Sequence, residues 1–159
     1  MTTPPRSLPT EWAMRLVVQC DAPQPLGAAG TSSRANYPIV GGTFEGPALK
    51  GTILPGADFF LQRADDVGVL DARYSLRTDD GVVINIHNRG LLREEPDFSA
   101  AAATSPDLRP YSCHCIPTFD APAGRYAWLT REVFAGVVTY PEAGQVVIDL
   151  YRLLVQPAS

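Results

Sequence analysis

The chain has 159 residues, of which 45% are hydrophobic and 19% are charged, and its formal net charge is −4 at pH 7. This length and composition fit one globular domain and exclude a disordered chain. The acidic balance argues against nucleic acid or an anionic membrane as the main partner, because both require a basic footprint. Three cysteines without a secretory leader pattern favour a reduced, cytoplasmic protein.

Short apolar runs, interrupted by prolines and glycines, predict about nine strands and no long helix. Residues 1–10 are interpreted as a disordered leader and residues 11–157 as one domain. In chain order, the predicted strands are 11–21, 37–46, 49–54, 58–63, 69–78, 82–89, 111–119, 126–140 and 145–155.

The segments between these runs carry turn signals. The pair Gly41–Gly42 predicts a bulge or a close backbone approach, and Pro55–Gly56 predicts a turn. Asp80–Gly81, between two alternating runs, is the strongest hairpin signal in the chain. Residues 21–35 are predicted to form a loop, and residues 91–110 a long surface loop or a lid.

So many antiparallel strands in one small domain favour closure into a barrel, because closure leaves no exposed sheet edge. The interior of such a barrel holds packed side chains or one small molecule, which enters from one mouth. Functional residues are therefore expected on inward faces.

Four segments resemble a family of small bacterial and fungal proteins, DUF3237 or UPF0311. They are Gly41–Pro47, Gly51–Asp58, Leu70–Gly81 and Arg125–Leu129. The resemblance implies an all-β fold, a small antiparallel β-barrel that is calycin-like or allene-oxide-cyclase-barrel-like, of about eight to ten strands. It also implies small-molecule chemistry, such as cyclisation, isomerisation or hydrolytic ring closure in secondary or xenobiotic metabolism.

The predicted hairpin around Asp80–Gly81 has two different faces, because successive strand side chains alternate. One face is polar and carries Asp71, Arg73, Ser75, Arg77, Asn85, His87 and Arg89. The other carries Ala72, Tyr74, Leu76, Ile84, Ile86 and Asn88. A polar face that points outward is an ordinary solvated surface held by ion pairs. We favour the inward alternative, because His, Asn, Arg and Asp polarise carbonyls and move protons.

Four residues are candidates for catalysis. His87 is the leading acid or base, since imidazole titrates near neutrality, and its alternative is a surface histidine. Asp58 either activates a base at the mouth or caps the preceding turn. Glu45, between glycine-rich kinks, is a general base if partly buried and otherwise a solvent-facing side chain. Arg73 either stabilises an anion or forms an ion pair with Asp71 or Asp58.

Four further residues are candidates for substrate binding. Asn85 would hold the developing oxyanion beside Arg73, and Phe60, Tyr126 and Trp128 would form apolar walls. Tyr126 and Trp128 are expected on one face of their strand, and the alternative for both is core packing.

The segment Cys113–His114–Cys115 has the residue types of a metal site. A strand would place both cysteines on one face and His114 on the other, so a shared ion is not expected. Buried cysteines acting as small hydrophobes are favoured instead. No phosphate-binding glycine motif precedes a helix, so no nucleotide cofactor is predicted. Since a metal site is not expected either, the sequence predicts no cofactor.

The sequence thus predicts a cofactor-independent enzyme that moves protons on a small carbonyl-bearing organic molecule, as an isomerase, a cyclase or a lactone-forming or lactone-hydrolysing enzyme. The alternative is a noncatalytic small-molecule carrier. A homo-oligomer, with a dimer favoured, is also expected, because the apolar strand at residues 146–155 would gain from a partner.

Overall fold

The computed structural model describes residues 4–94 and 111–155. These residues form nine strands and one short 3-10 helix at Ala127–Thr130. The strands are β1 (Thr10–Cys20), β2 (Gln24–Ala29), β3 (Ser32–Glu45), β4 (Lys50–Gln62), β5 (Val67–Thr78), β6 (Val83–Glu94), β7 (Tyr111–Asp120), β8 (Phe134–Glu142) and β9 (Gln145–Leu153).

Eight of these strands close into an antiparallel barrel. The order around the sheet is β1-β9-β8-β7-β6-β5-β4-β3, and pairing of β1 with β3 completes the ring. Strand β2 lies outside the ring and pairs with β3. The prediction of a small all-β barrel is confirmed. Within the described residues, none of the helical segments has the length and apolar character that a membrane-spanning helix needs.

Two predicted breaks in the first half of the chain are wrong. Residues 21–35 were expected to form a loop, but Gln24–Ala29 and Ser32–Ala35 pair as a hairpin. The Pro55–Gly56 pair lies inside the continuous strand β4, where the register against β5 shifts between Leu54 and Ala57. A Cβ at Gly56 would lie 2.1 Å from the carbonyl oxygen of Arg73, so glycine here permits a close approach inside the sheet and does not form a turn.

The predicted strand over residues 126–140 is also partly wrong. Its first residues form the 3-10 helix, and β8 begins only at Phe134. Phe134 contacts the ring of Trp128 at 6.0 Å and the ring of Phe119 at 5.1 Å between centroids. The helix therefore packs against one end of the barrel and adds no strand to its wall.

Other local predictions are confirmed. The register between β1 and β3 shifts beside the glycine pair, and Gly42 has a φ of +135°. Residues Asp79–Val82 connect β5 and β6, so the hairpin forms at Asp80–Gly81. Cys113 and Cys115 are buried.

Strand β9 pairs with β1 on one side and β8 on the other, so its backbone is satisfied within the chain. The reason given for a dimer through this strand therefore fails, and an oligomer stays a prediction. Of the predicted lid, residues 91–94 continue strand β6, and residues 95–110 lie outside the described residues.

The interior has a packed end and a hollow end. At the packed end, the inward side chains are large and almost fully buried, and they include Met14, Leu16, Leu76, Ile84, Phe134 and Leu150. Nearer the other end, inward positions carry smaller or polar side chains, namely Ala72, Asn88, Cys113 and Cys115. Since small side chains cannot fill the space between the walls, a cavity remains there.

Candidate functional site

The hollow end contains a cavity of about 790 Å³. This volume lies in the range of small-molecule sites. Strands β1, β3, β4, β5, β6, β8 and β9 all contribute to its wall, and the turn between β8 and β9 lies at its rim. Most of the wall is apolar and is formed by Val18, Ile39, Phe60, Leu70, Val138 and Ile148. The cavity can therefore bury the hydrophobic body of a small organic molecule.

Aromatic side chains on two sides of this cavity are held in fixed positions. Tyr37 and Phe60 pack edge to face with their ring centroids 5.8 Å apart. On the other side, Tyr140 packs against Tyr111 at 5.4 Å, and the backbone N–H of Tyr140 donates to the Tyr111 hydroxyl at 2.7 Å. These contacts hold the lining side chains Tyr37, Phe60 and Tyr140 in defined orientations.

A polar row crosses the inner wall of the cavity. Tyr37 is paired with Asp58, Asp58 with Ala72, and Ala72 with Asn88. Residues directly opposite each other in antiparallel strands point to the same face. Asp58 and Asn88 therefore both face the cavity, two strand spacings apart, which is roughly 10 Å between their backbones.

Asp58 is the acidic group of this row. Its Oδ1 accepts a hydrogen bond from the backbone N–H of Asp71 at 2.8 Å, and within residues 4–94 and 111–155 no group hydrogen-bonds to Oδ2. Burial, reinforced by the nearby charge of Asp71, raises the pKa of Asp58 from 3.8 to about 6, although the Asp71 N–H bond opposes this shift. The carboxyl group is thus fixed in orientation and can be protonated or ionised near neutral pH.

Two further polar side chains of the cavity each have one atom without a hydrogen-bond partner. Across the described ranges, the buried side-chain atoms without a hydrogen bond are the Tyr74 hydroxyl and Oδ1 of Asn88. Both residues line the cavity, and burial raises the pKa of Tyr74 well above its usual value, so its phenol stays neutral. Because buried polar atoms are nearly always paired, these two atoms are exceptions among the buried polar groups of the described residues.

Burial disfavours the thiolate form of the cysteines near the cavity. Burial raises the pKa values of Cys113 and Cys115 to about 11, although hydrogen bonds with Tyr140 and Asn88 respectively oppose the shift. Burial also raises the pKa of Cys20, which lines the cavity. A thiol must be a thiolate to attack, so these shifts oppose covalent chemistry at the three residues.

The polar hairpin face that was expected to line the barrel points outward, and this expectation is wrong. Arg73 is 64% exposed, and Asn85 is exposed as well. Nε2 of His87 lies 2.6 Å from Oδ1 of Asp71, and Nε of Arg73 lies 3.7 Å from the same atom. These contacts match the alternative of a solvated face held by ion pairs. Although burial opposes the shift, the hydrogen bond with His87 and the charges of His87, Arg73 and Arg89 lower the pKa of Asp71.

His87, Arg73 and Asn85 line a separate groove of about 480 Å³ on this outer face. The Ser75 hydroxyl donates a hydrogen bond to Oδ1 of Asn85 at 2.7 Å. The Asn85 amide is therefore already hydrogen-bonded within the wall of the groove. The sheet lies between this groove and Asp58. The structure therefore does not bring His87 and Asp58 into one site.

Three more candidates lie away from the cavity. Glu45 is exposed on the outer face, paired with Arg15 and Lys50 on the neighbouring strands. Tyr126 is buried at the packed end, and its hydroxyl donates to Asp80 at 2.7 Å. Trp128 belongs to the same 3-10 helix region. The aromatic walls predicted from Tyr126 and Trp128 are therefore wrong, whereas Phe60 does line the cavity.

No group of three or more His, Cys, Asp or Glu side chains with metal-binding geometry occurs in the two described ranges. His114 is exposed on the face opposite the two buried cysteines.

The model of a family described as a protein of unknown function, DUF3237, matches residues 8–153. The chain belongs to the DUF3237 family. A UPF0311 protein of Clostridium acetobutylicum is 33% identical over 149 residues, which cover 90% of this chain and 92% of that protein.

Solved structures extend this likeness to the fold of the DUF3237 barrel. A beta-barrel like protein from Acinetobacter baumannii AYE superposes with a TM-score of 0.83 at 30% identity, covering 96% of this chain and 100% of that one. An enzyme from Penicillium herquei superposes with a TM-score of 0.73 at 18% identity, covering 97% and 100% of the two chains. At this lower identity, the likeness is one of fold alone.

Sequence reasoning missed Tyr74 and Asn88 as site residues of the DUF3237 barrel. Both belong to the hairpin face that alternation assigns to apolar residues. An amide and a phenol at inward positions of an otherwise apolar face are the signal that could have identified them, because such groups need a partner once buried.

Proposed function

We propose that this protein is a cofactor-independent enzyme that transfers protons on a small carbonyl-bearing organic molecule bound inside the barrel, as an isomerase or a cyclase. The observation that carries the proposal is Asp58. It is a fixed carboxyl group in an apolar cavity, and its pKa is raised to about 6. A base whose pKa lies near the working pH combines the correct ionisation state with a useful affinity for protons.

In this mechanism, the ionised Oδ2 of Asp58 takes a proton from the carbon next to the ligand's carbonyl group. The electron pair of the broken C–H bond moves onto the carbonyl oxygen and forms an enolate. Tyr74, with its unpartnered hydroxyl, donates a hydrogen bond to that oxygen. When the ligand is a β,γ-unsaturated ketone, the protonated Asp58 returns the proton to the γ-carbon and the double bond shifts into conjugation with the carbonyl group. The carboxylate is thereby regenerated and the ligand is isomerised.

The surroundings of Asp58 support this role. The hydrogen bond from the Asp71 N–H holds one carboxyl oxygen, which leaves the other directed to the ligand. Apolar walls exclude water and thereby strengthen the electrostatic interactions of the site. The barrel is also the fold of a protein described as an enzyme, so this architecture can accommodate catalysis.

Hydrogen exchange tests the proposal directly. The protein is incubated with α-tetralone in deuterated buffer, and loss of the signal from the protons next to the carbonyl is followed by NMR. We expect exchange above the buffer rate, rising with pH through about 6. Asp58→Asn should lower the enzymatic rate by about 100-fold or more, since a general base contributes that much.

Asp79→Asn is the matched control, because it makes the same change at an exposed position outside the cavity. It should exchange at the rate of the unsubstituted protein. If Asp58→Asn retained full exchange, or if His87→Ala abolished it, the chemistry would lie outside the cavity and the proposal would be wrong.

The alternative function is that of a noncatalytic carrier, and the predominantly apolar wall of the cavity favours it. A carrier would bind α-tetralone with equal affinity before and after Asp58→Asn and would not accelerate exchange at any pH. Calorimetric binding together with the exchange measurement separates the two functions.

A further inference from the structure

We infer that the ligand of the barrel cavity is an uncharged, ring-bearing hydroxy ketone, whose hydroxyl donates a hydrogen bond to Oδ1 of Asn88. The role of its carbonyl group rests on the proposed function. The requirements for a hydroxyl and for the absence of negative charge come from the cavity itself.

Asn88 supplies the first requirement. The residue is only 4% exposed, and its Oδ1 has no hydrogen-bond partner within the described residues. Asn88 is paired with Ala72 on β5 and with Pro117 on β7, which fixes its backbone in the wall. An amide oxygen is an acceptor only, so a molecule that satisfies it must present an O–H or N–H group.

The position of Asn88 fits a ring-bearing ligand. Asn88 and Asp58 lie in one row across the inner wall, roughly 10 Å apart at the backbone. Tyr74 points inward from β5, the strand between them, two residues further toward the packed end than Ala72. A fused ring with a carbonyl at one position and a hydroxyl at another can reach Tyr74 and Asn88 together.

Charge supplies the second requirement. The charged residues that line the cavity are Asp21, Asp58 and Glu142, and no Lys, Arg or His of the described ranges lines it. A carboxylate or phosphate in this cavity would lose its hydration shell without gaining a cation. The cavity therefore selects neutral molecules over anionic ones.

A matched ligand series tests the inference on the intact protein. The series consists of α-tetralone, its phenols with the hydroxyl at each aromatic position, the methyl ethers of these phenols and the corresponding carboxylic acids. Dissociation constants are measured by calorimetry at about pH 6.5, where phenols stay protonated. We expect at least one phenol to bind about tenfold more tightly than α-tetralone and its own methyl ether, and every acid to bind at least about tenfold more weakly.

The substitution Asn88→Leu removes the acceptor and keeps a similar volume. It should reduce the preference for the phenol over its methyl ether to less than about twofold, while binding of α-tetralone itself persists. Asn36→Leu is the control on the outer side of the barrel, beside Phe59, and it should keep the full preference. The comparison of phenols with ethers in the unsubstituted protein remains decisive even if Asn88→Leu does not fold.

The inference is wrong if no phenol binds, if phenols and their ethers bind equally, or if an acid binds as tightly as the neutral ketone. It is also wrong if Asn88→Leu keeps the preference. Failure of the proposed function gives a different result. A phenol preference that depends on Asn88, in a protein that does not accelerate proton exchange, would support the ligand class and exclude the enzyme.

Discussion

Asp58 couples the stability of this protein to pH. Its pKa is raised from 3.8 to about 6 by burial and by the charge of Asp71. The favourable contribution of the protonated group is fully present below pH 3.8 and is lost as the pH rises through about 6, because the folded state must then hold a buried charge.

Replacing Asp58 with Asn should remove this penalty. We expect Asp58→Asn to raise the free energy of unfolding at pH 8 by up to about 3 kcal/mol and to change it little near pH 4. Urea unfolding at the two pH values measures the difference, and Asp79→Asn controls for the loss of an exposed carboxylate. An equal effect of Asp58→Asn at both pH values would show that the carboxyl group is not destabilised by burial.

Single residues also show how far the sequence could define the site. Asp58 and Phe60 could be identified, because both occur in or beside a segment that resembles the family. His87, Arg73 and Asn85 could not be placed correctly, because alternation divides a hairpin into two faces without saying which one points inward. Burial settles this direction, since Leu76, Ile84 and Ile86 occupy the inward positions.

Strands β1 and β3 close the barrel, and their contact depends on one glycine. Gly42 has a φ of +135°, and a Cβ there would lie 2.1 Å from the carbonyl oxygen of Val17. Gly42→Ala should therefore lower the free energy of unfolding by about 2 kcal/mol or more, through backbone strain and a steric clash.

Gly124 provides the matched control for this substitution. It has a similar φ of +122°, but a Cβ there would meet no atom within 4 Å. Gly124→Ala should cost about 1 kcal/mol from backbone strain alone. Equal losses for the two variants, measured by urea unfolding, would exclude the close approach as the reason for Gly42.

Close contact between neighbouring strands also explains which turns could be predicted from the sequence. Asp80–Gly81 separates two strands that reverse direction, so its composition indicates a real turn. Pro55–Gly56 has a similar composition, but it occurs where the sheet bends and the chain continues. Local composition does not distinguish a turn from a bend inside a strand. Gly56 is required because Arg73 approaches closely, and Arg73 belongs to another strand.

At the scale of the whole molecule, the barrel divides its interior between stability and binding. Large side chains such as Leu16 and Leu76 fill one end, whereas the cavity with Asp58 occupies the other. The sequence predicted a closed all-β barrel from its short strands. It could not predict which half is hollow, because that depends on how inward side chains from all eight strands meet.

This division predicts that the packed end can be weakened without changing the cavity. The hydroxyl of Tyr126 donates to Asp80 at 2.7 Å and ties the 3-10 helix region to the hairpin between β5 and β6. Tyr126→Phe removes this bond and should lower the free energy of unfolding by about 1–2 kcal/mol.

The affinity for α-tetralone should be the same before and after Tyr126→Phe, since Tyr126 does not line the cavity. Urea unfolding and calorimetry on the same sample measure the two effects. A weaker affinity with unchanged stability would return Tyr126 to the binding site and contradict the separation of the two ends. Lower stability with unchanged affinity would mean that the hydroxyl of Tyr126 stabilises the packed end and takes no part in ligand binding.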